Sequence, residues 1–235
     1  SLAYAHALHA AGKLYMAPVC PQFWGSNANR YYEYSGAAGM RRLWQAAIEG
    51  HAEWVEIITW NDFVEGSYIS PIDDPNRYPN ANHIDASHIP SETTGYFHSH
   101  AGMSDLVSYF VRAYKDGVPP AITKDEVFYF YRTQPLKVAA RTPPVAHVYG
   151  PAADRIYVTA NLTAPATLVV RSGDKSTTKE LPAGSHDVEA PFVAGKAPEF
   201  ELLRNGKRIA FGVGPSPIDP NPRYRNLYNA TGVVE

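Results

Sequence analysis

The sequence predicts an α/β half followed by an all-β half, and three observations carry this. Up to about residue 140 apolar strand-like runs alternate with amphipathic helical stretches. From about 144 onward no convincing helix appears, and short strands recur with turns between them. Between the halves, Arg141-Thr142-Pro143-Pro144 contains a double proline, which continues neither a helix nor a central strand. The predicted division is residues 1–143 and 144–235.

Residues 2–11 read as the end of a helix, stopped at Gly12. Because the chain opens on Ser1 in what looks like mid-fold, with no charged-then-apolar leader after it, it is expected to be part of a longer protein. Residues 14–19 form a short buried strand. Residues 39–48 form a helix, with Met40, Leu43, Trp44, Ala47 and Ile48 on one face. Residues 55–59 (VEIIT) are a β-branched strand of the kind found where helices cover a parallel sheet. A second helix spans 103–115, with Leu106, Val107, Phe110 and Tyr114 on its apolar face and Gly117, Pro119 and Pro120 ending it. Residues 127–131 (VFYFY) are the next strand, expected to extend the same parallel sheet. A closed (β/α)8 barrel needs eight strands and roughly 250 residues. If these units belong to one, its earlier strands lie upstream.

The second half offers strands at 155–162, 166–172, 177–181, 186–191, 199–203 and 207–212, with the hairpin dipeptide Asn205-Gly206 before the last. Ile156, Val158 and Ala160 alternate with Tyr157, Thr159 and Asn161, so one face turns to a core. This is the pattern of an antiparallel β-sandwich.

Composition excludes several functions. The net charge is -2, which leaves no basic field for nucleic acid. Cys20 is the only cysteine, so no internal disulfide exists; it reads as a small packing residue. No apolar run approaches the roughly 20 residues of a membrane span. The 16 Tyr and 4 Trp suit sugar rings as well as they suit a core.

Chemistry concentrates at TWNDFVEGSY, residues 59–68, directly after the 55–59 strand. Catalytic groups gather in such loops, at the carboxyl ends of parallel strands. Asp62 and Glu65 stand three residues apart there, among Trp60, Asn61, Phe63 and Tyr68. Glycosidic cleavage needs one protonated and one ionised carboxyl group. Aromatic neighbours and a second carboxylate push two such groups apart in pKa. The plainer alternative is that Asp62 caps the loop and Glu65 is a solvated turn charge.

The blocks YMAPVCPQFW (15–24), VEIITWNDFVEGSYISPI (55–72), DLVSYFVRAYKDG (105–117) and FYFYRTQP (128–135), in this order, resemble glycoside hydrolase family 71, the α-1,3-glucanases or mutanases. The likeness continues into LTAPATLVV and LPAGSHDVEAPF. It implies the C-terminal βα units of a partial (β/α)8 barrel, then an antiparallel β-sandwich. It implies α-1,3-glucan hydrolysis with inversion and no cofactor, with the family's paired acids falling on Asp62 and Glu65. Glu65 is taken as the acid and Asp62 as the base. The family pattern Gly-Glu-Ser-His-Tyr is here Val64-Glu65-Gly66-Ser67-Tyr68, without the histidine. That sequence is closer to endo-α-mannosidase-like barrels, so an α-mannoside is the alternative glycan. A carbohydrate-binding fragment without catalysis is the alternative from another class.

Trp60, Asn61, Tyr68, Trp24, Tyr15 and His100 are the candidate substrate contacts, with Gln22 and Phe23 beside Trp24. His83, Asp85, His88, His98 and His100 invite a metal reading, but HSHAG lies in a loop rich in small residues, so no metal is expected. Arg132 either holds a site carboxylate ionised or anchors the second half. Asp73 and Asp74 read as turn residues. Asn161-Leu162-Thr163 and Asn229-Ala230-Thr231 are glycosylation sequons only for a secreted eukaryotic chain. An α-glucan polymer is the expected partner, with neither nucleic acid nor membrane. The protein is expected to be a monomer and, since a polymer does not enter cells, extracellular.

Overall fold

A computed structural model describes residues 2–25, 30–63, 65–71, 98–139, 147–222 and 225–235. The expected join at 141–144, and His83, Asp85, His88, Asp73 and Asp74, lie outside the described residues.

After helix α1 (Leu2–Ala10), Gly12 takes the left-handed conformation expected of a helix stop. Strands β1 (Met16–Val19) and β4 (Trp54–Ile57) pair in parallel, Met16 opposite Trp54 and Val19 opposite Ile57. Between them run β2 (Phe23–Gly25), β3 (Arg30–Tyr32) and helix α2 (Ala37–Glu49). Helix α3 (Ala101–Asp116) follows, ended by Gly117 at φ 72°. Met40, Trp44 and Ala47 of α2 and Met103, Leu106, Val107 and Phe110 of α3 are buried, as their helical spacing requires. Trp44 stacks on Phe110 with ring centroids 6.2 Å apart.

The remaining strands are β5 (Glu126–Arg132), β6 (His147–Tyr149), β7 (Arg155–Leu162), β8 (Ala166–Ser172), β9 (Lys175–Leu181), β10 (Gly184–Pro191), β11 (Glu199–Arg204), β12 (Lys207–Val213) and β13 (Asn229–Val234). They form two four-stranded antiparallel sheets, β10-β7-β5-β13 and β12-β11-β8-β9, while β6 joins β2 and β3 in a third. Asn205 and Gly206 both have positive φ at the β11–β12 turn, as a two-residue hairpin requires. The chain is mixed α/β with most of its strands in antiparallel sheets.

One expectation is corrected. The 127–131 strand does not extend the parallel sheet: β5 pairs antiparallel with β7 and β13. Val127, Tyr129 and Tyr131 face the second sheet, packing with Ile156, Leu168 and Phe200. Phe128 and Phe130, from the opposite face, pack with Met40, Trp44, Leu106 and Phe110. A strand covered on both faces is apolar throughout whichever way its neighbours run, so its composition alone does not distinguish the two pairings.

Arg132, at the end of β5, anchors this junction rather than a site carboxylate. Its guanidinium donates to Glu33 at 3.0 Å, to the Tyr31 hydroxyl at 2.9 Å and to Asp154 at 2.7 Å. The Arg132 and Glu33 side chains are both only 2% exposed. Removing one partner of such a buried pair costs about 3–5 kcal/mol, because the other charge is left unpaired.

Both sequon asparagines lie in strands, and the Asn161 residue is only 4% exposed. No helix among the described residues is long and apolar enough to cross a membrane.

Candidate functional site

The carboxylate loop leaves the carboxyl end of β4. The Thr59 N–H donates to the Ser67 carbonyl at 3.0 Å, Ile69 N–H to Thr59 at 3.0 Å and Ser70 N–H to Trp60 at 3.1 Å. These bonds draw residues 59–60 against 67–70 and leave 61–63 and 65–66 at the tip between them.

Within the tip, Thr59 Oγ1 accepts the Asp62 N–H at 2.9 Å. Asp62 Oδ1 in turn accepts the Glu65 N–H at 3.0 Å. A short polar side chain closing a turn on backbone three residues ahead is the ordinary use of aspartate in loops. Asp62 therefore shapes the loop, as the plainer sequence reading held, and its Oδ2 is not used in that bond. Both carboxylate residues are half-buried, neither sealed nor freely solvated.

Three outside contacts set the tip in place. The Trp24 N–H donates to the Glu65 carbonyl at 2.8 Å, fastening β2 to the loop. The Tyr228 hydroxyl donates to the Phe63 carbonyl at 2.6 Å. The Tyr228 ring lies so close to Gly66, itself at φ 61°, that a Cβ there would come within 2.3 Å of it. Glycine is needed at 66 both for its backbone conformation and for the ring behind it.

The charges interact. Partial burial, and then the negative charge of Asp62, raise the Glu65 pKa above that of a free glutamate. Burial pushes the Cys20 thiol up to about 11, with Glu65 and Asp62 adding to the rise. Burial and both acids likewise raise the Tyr228 phenol. Cys20 and Tyr228 thus form the neutral backing of a carboxylate pair.

The candidate substrate contacts divide sharply. Trp60 is 60% exposed and Asn61 is exposed, so both stand at the tip beside the acids. Tyr68 is fully buried, its hydroxyl donating to the His98 carbonyl at 2.8 Å and its ring stacked on His100 at 3.8 Å. His100 is also fully buried. Its Nδ1–H donates to the Tyr68 carbonyl at 2.6 Å, and its Nε2 accepts from the Gln22 amide at 3.2 Å. Gln22 Oε1 accepts the Asn229 N–H, tying the β1–β2 connection to the start of β13. Burial lowers the pKa of both His98 and His100 to about 4, so both are neutral at pH 7.

Trp24 is 6% exposed, edge-on to Tyr228 at 5.1 Å. Tyr15 precedes β1, at the opposite end of the parallel pair from the loop, and packs on Ala5, Ala17, Ala47 and Ala52. Four of the six candidates thus lie away from the exposed surface of the tip. Tyr68, His100 and Trp24 brace the loop from inside, and Tyr15 is remote from it. Position relative to a strand end tells which rim a residue is on, but not whether its ring points inward.

Tyr228 was missed by sequence reasoning. It reaches Phe63 across a separation of 165 residues, and nothing in NLYNATG marks it. Among the described residues no group of three or more His, Cys, Asp or Glu is placed to hold a metal ion.

The sequence model of a family described as glycosyl hydrolase family 71 matches residues 2–234. A glucan endo-1,3-alpha-glucosidase of Schizosaccharomyces pombe is 27% identical over 238 residues, covering 99% of this chain and 53% of the relative. A mutanase of Penicillium rubens is 32% identical over 214 residues, covering 87% of this chain and 44% of the relative. An ascus wall endo-1,3-alpha-glucanase of Schizosaccharomyces pombe is 25% identical over 226 residues, with 91% and 51% covered. The chain thus spans about half the length of the curated relatives it matches. No solved structure matches it.

Proposed function

Since this chain belongs to glycosyl hydrolase family 71, we propose that it works as a glycosidase on α-1,3-glucan, with Asp62 and Glu65 as its acid/base pair. The observation that carries this reading is the asymmetry of the pair. Both carboxyl groups belong to one loop, and the Glu65 pKa is raised by burial and by Asp62. Glu65 keeps the proton and gives it to the glycosidic oxygen as the bond from the anomeric carbon to that oxygen breaks. Water attacks the same carbon from the other face, and Asp62, as carboxylate, takes the proton that the water loses. The product then has inverted configuration.

Trp60 offers a flat apolar surface for a sugar ring and Asn61 an amide for its hydroxyl groups. No cofactor or metal takes part. The β1–α2–β4 unit is read as a C-terminal portion of a (β/α)8 barrel within residues 1–143, and 144–235 as the sandwich domain. The names of the relatives support α-1,3-glucan as the polymer. Because such a polymer does not cross a membrane, the protein is placed outside the cell, acting as a monomer.

The test is sugar release from insoluble α-1,3-glucan, with NMR identifying the first anomer formed. The wild-type protein should release sugar as the β-anomer, and Asp62→Asn and Glu65→Gln should not. Release undiminished in both variants removes the acid/base assignment. Retention of configuration removes the inverting step. Release from α-mannan alone replaces the substrate, and binding without release replaces the enzyme with a binding module.

A further inference from the structure

A cleft of about 370 Å³ lies between α3 and the start of β5, within the roughly 300–1,000 Å³ typical of small-molecule sites. One wall is a stripe of α3, with Asp105, Ser108, Tyr109 and Arg112 at i, i+3, i+4 and i+7. Residues 121–124 form the other wall. The floor comes from the face of the β10-β7-β5-β13 sheet that turns towards the helices. There Phe128 is 2% exposed, and Asn161 lies directly across from Glu126 in the β5–β7 register.

Asn161 points to a ligand. The residue is 4% exposed and lines the cleft, yet its Oδ1 has no hydrogen-bond partner among the described residues. Leaving such an acceptor unpaired is destabilising, because it gives up its bond to water for nothing. A ligand hydroxyl donating to it recovers that energy.

The electrostatics of the cleft narrow the ligand class. Lys124 is already paired with Glu126 at 2.9 Å and Glu235 at 2.5 Å, so it is not free to attract an anion. Asp105 and Arg112 remain on the wall with opposite charges. A site with acceptors, donors and one half-buried tyrosine ring, and no excess of either charge, suits a neutral polyhydroxyl chain. It does not suit a phosphate or carboxylate.

We propose that this cleft is a second carbohydrate site, binding glucosyl units of α-1,3-glucan through Asn161, Arg112 and Asp105 against the Tyr109 ring. The choice of glucan rests on the function proposed above. Tyr228 and Asn229 lie beside the Arg132 end of β5, whereas the cleft lies at its Glu126 end. Six residue steps of extended strand separate the two ends, about 20 Å. A polymer held in the cleft is therefore gripped away from the bond being cut, which keeps an insoluble chain at the enzyme between cleavages.

The experiment is a titration of the Asp62→Asn protein with an α-1,3-linked glucose trisaccharide, followed by amide NMR. Signals of Tyr109, Arg112 and the Asn161 side chain should shift together. Arg112→Ala, at an exposed position that leaves folding intact, should weaken this response at least fivefold, and Asn161→Ala should remove it. Silence at these signals overturns the proposal, whether or not residues 60–66 respond. Shifts that survive both substitutions overturn it as well. A response in the cleft with none at 60–66 leaves this site standing and counts against the carboxylate loop as the cleaving site.

Discussion

The backbone N–H of Glu65 donates to Oδ1 of Asp62 at 3.0 Å, so one of the two acids holds the turn that presents the other. Substitutions at Asp62 therefore have two separable effects. Asp62→Asn keeps an oxygen acceptor for that N–H and removes only the charge, while Asp62→Ala removes both. We expect hydrolysis to fall about 10²–10⁴-fold in Asp62→Asn, the usual worth of a positioned acid or base. Asp62→Ala should fall at least as far and also lower the unfolding temperature, which Asp62→Asn should not. Equal unfolding temperatures for the two variants would show that the bond does not shape the loop.

The same pair makes a titration prediction. Two causes raise the Glu65 pKa, burial first and the charge of Asp62 second. Catalysis by a protonated Glu65 is lost as pH rises through that pKa. In Asp62→Asn the second cause disappears and the first remains. Carboxyl carbon NMR should place the Glu65 titration lower in the variant than in the wild type, yet still above that of a free glutamate. An unchanged midpoint would separate the two groups electrostatically and leave Glu65 without its partner.

Gly66→Ala tests the packing behind the tip. The backbone there is left-handed, costing a residue with a Cβ about 1–2 kcal/mol. The new methyl also meets the Tyr228 ring, and such overpacking typically costs about 1–3 kcal/mol. Urea unfolding should show a loss on that scale. Tyr228→Ala in the same chain should restore part of it, since only the steric component is relieved. Failure of this rescue would place the strain elsewhere.

The two buried histidines predict a pH window for stability. Their folded pKa values are near 4, below the ordinary 6.5, chiefly through burial. The unfolded chain takes up protons near pH 6.5, while the folded chain resists until about 4. The full contribution is present above pH 6.5 and drains away as pH falls towards 4, at about 1.4 kcal/mol per unit for each group. His98 has a buried ring nitrogen without a partner among the described residues, so His98→Leu should fold well and reduce the slope by about half. Urea midpoints at pH 7 and pH 5 measure it; a parallel slope in the variant rules out His98 as a contributor.

Trp60→Ala probes substrate contact directly. With 60% of the residue exposed, its removal should leave the unfolding temperature within a degree or so. Losing a stacking surface worth about 1 kcal/mol should raise KM roughly five-fold. A large fall in stability with an unaltered KM would make Trp60 a packing residue instead.

Much of this was legible in the sequence because it is local. The helices show their buried stripes at 3.6-residue spacing. Strand β7 of the antiparallel sheets shows alternation, and Asn205-Gly206 shows its turn. The carboxylate loop was found from its place after an apolar strand. What was not legible depends on contacts between distant segments. The direction of β5 is set by β7 and β13, which no property of VFYFY records. The burial of Tyr68 and His100 follows from their facing one another across the base of the loop. The role of Tyr228 exists only once β13 has brought it behind Gly66.

β5 is the seam of the molecule, since its alternate side chains belong to two different interiors. Denaturant that loosens one interior must strip a wall from the other, so the parts should melt together in one transition. A substitution such as Phe200→Ala, far from the acids in sequence, is then able to disturb them. The path runs through Tyr129, on which Phe200 stacks, and along that strand to the segment carrying Tyr228.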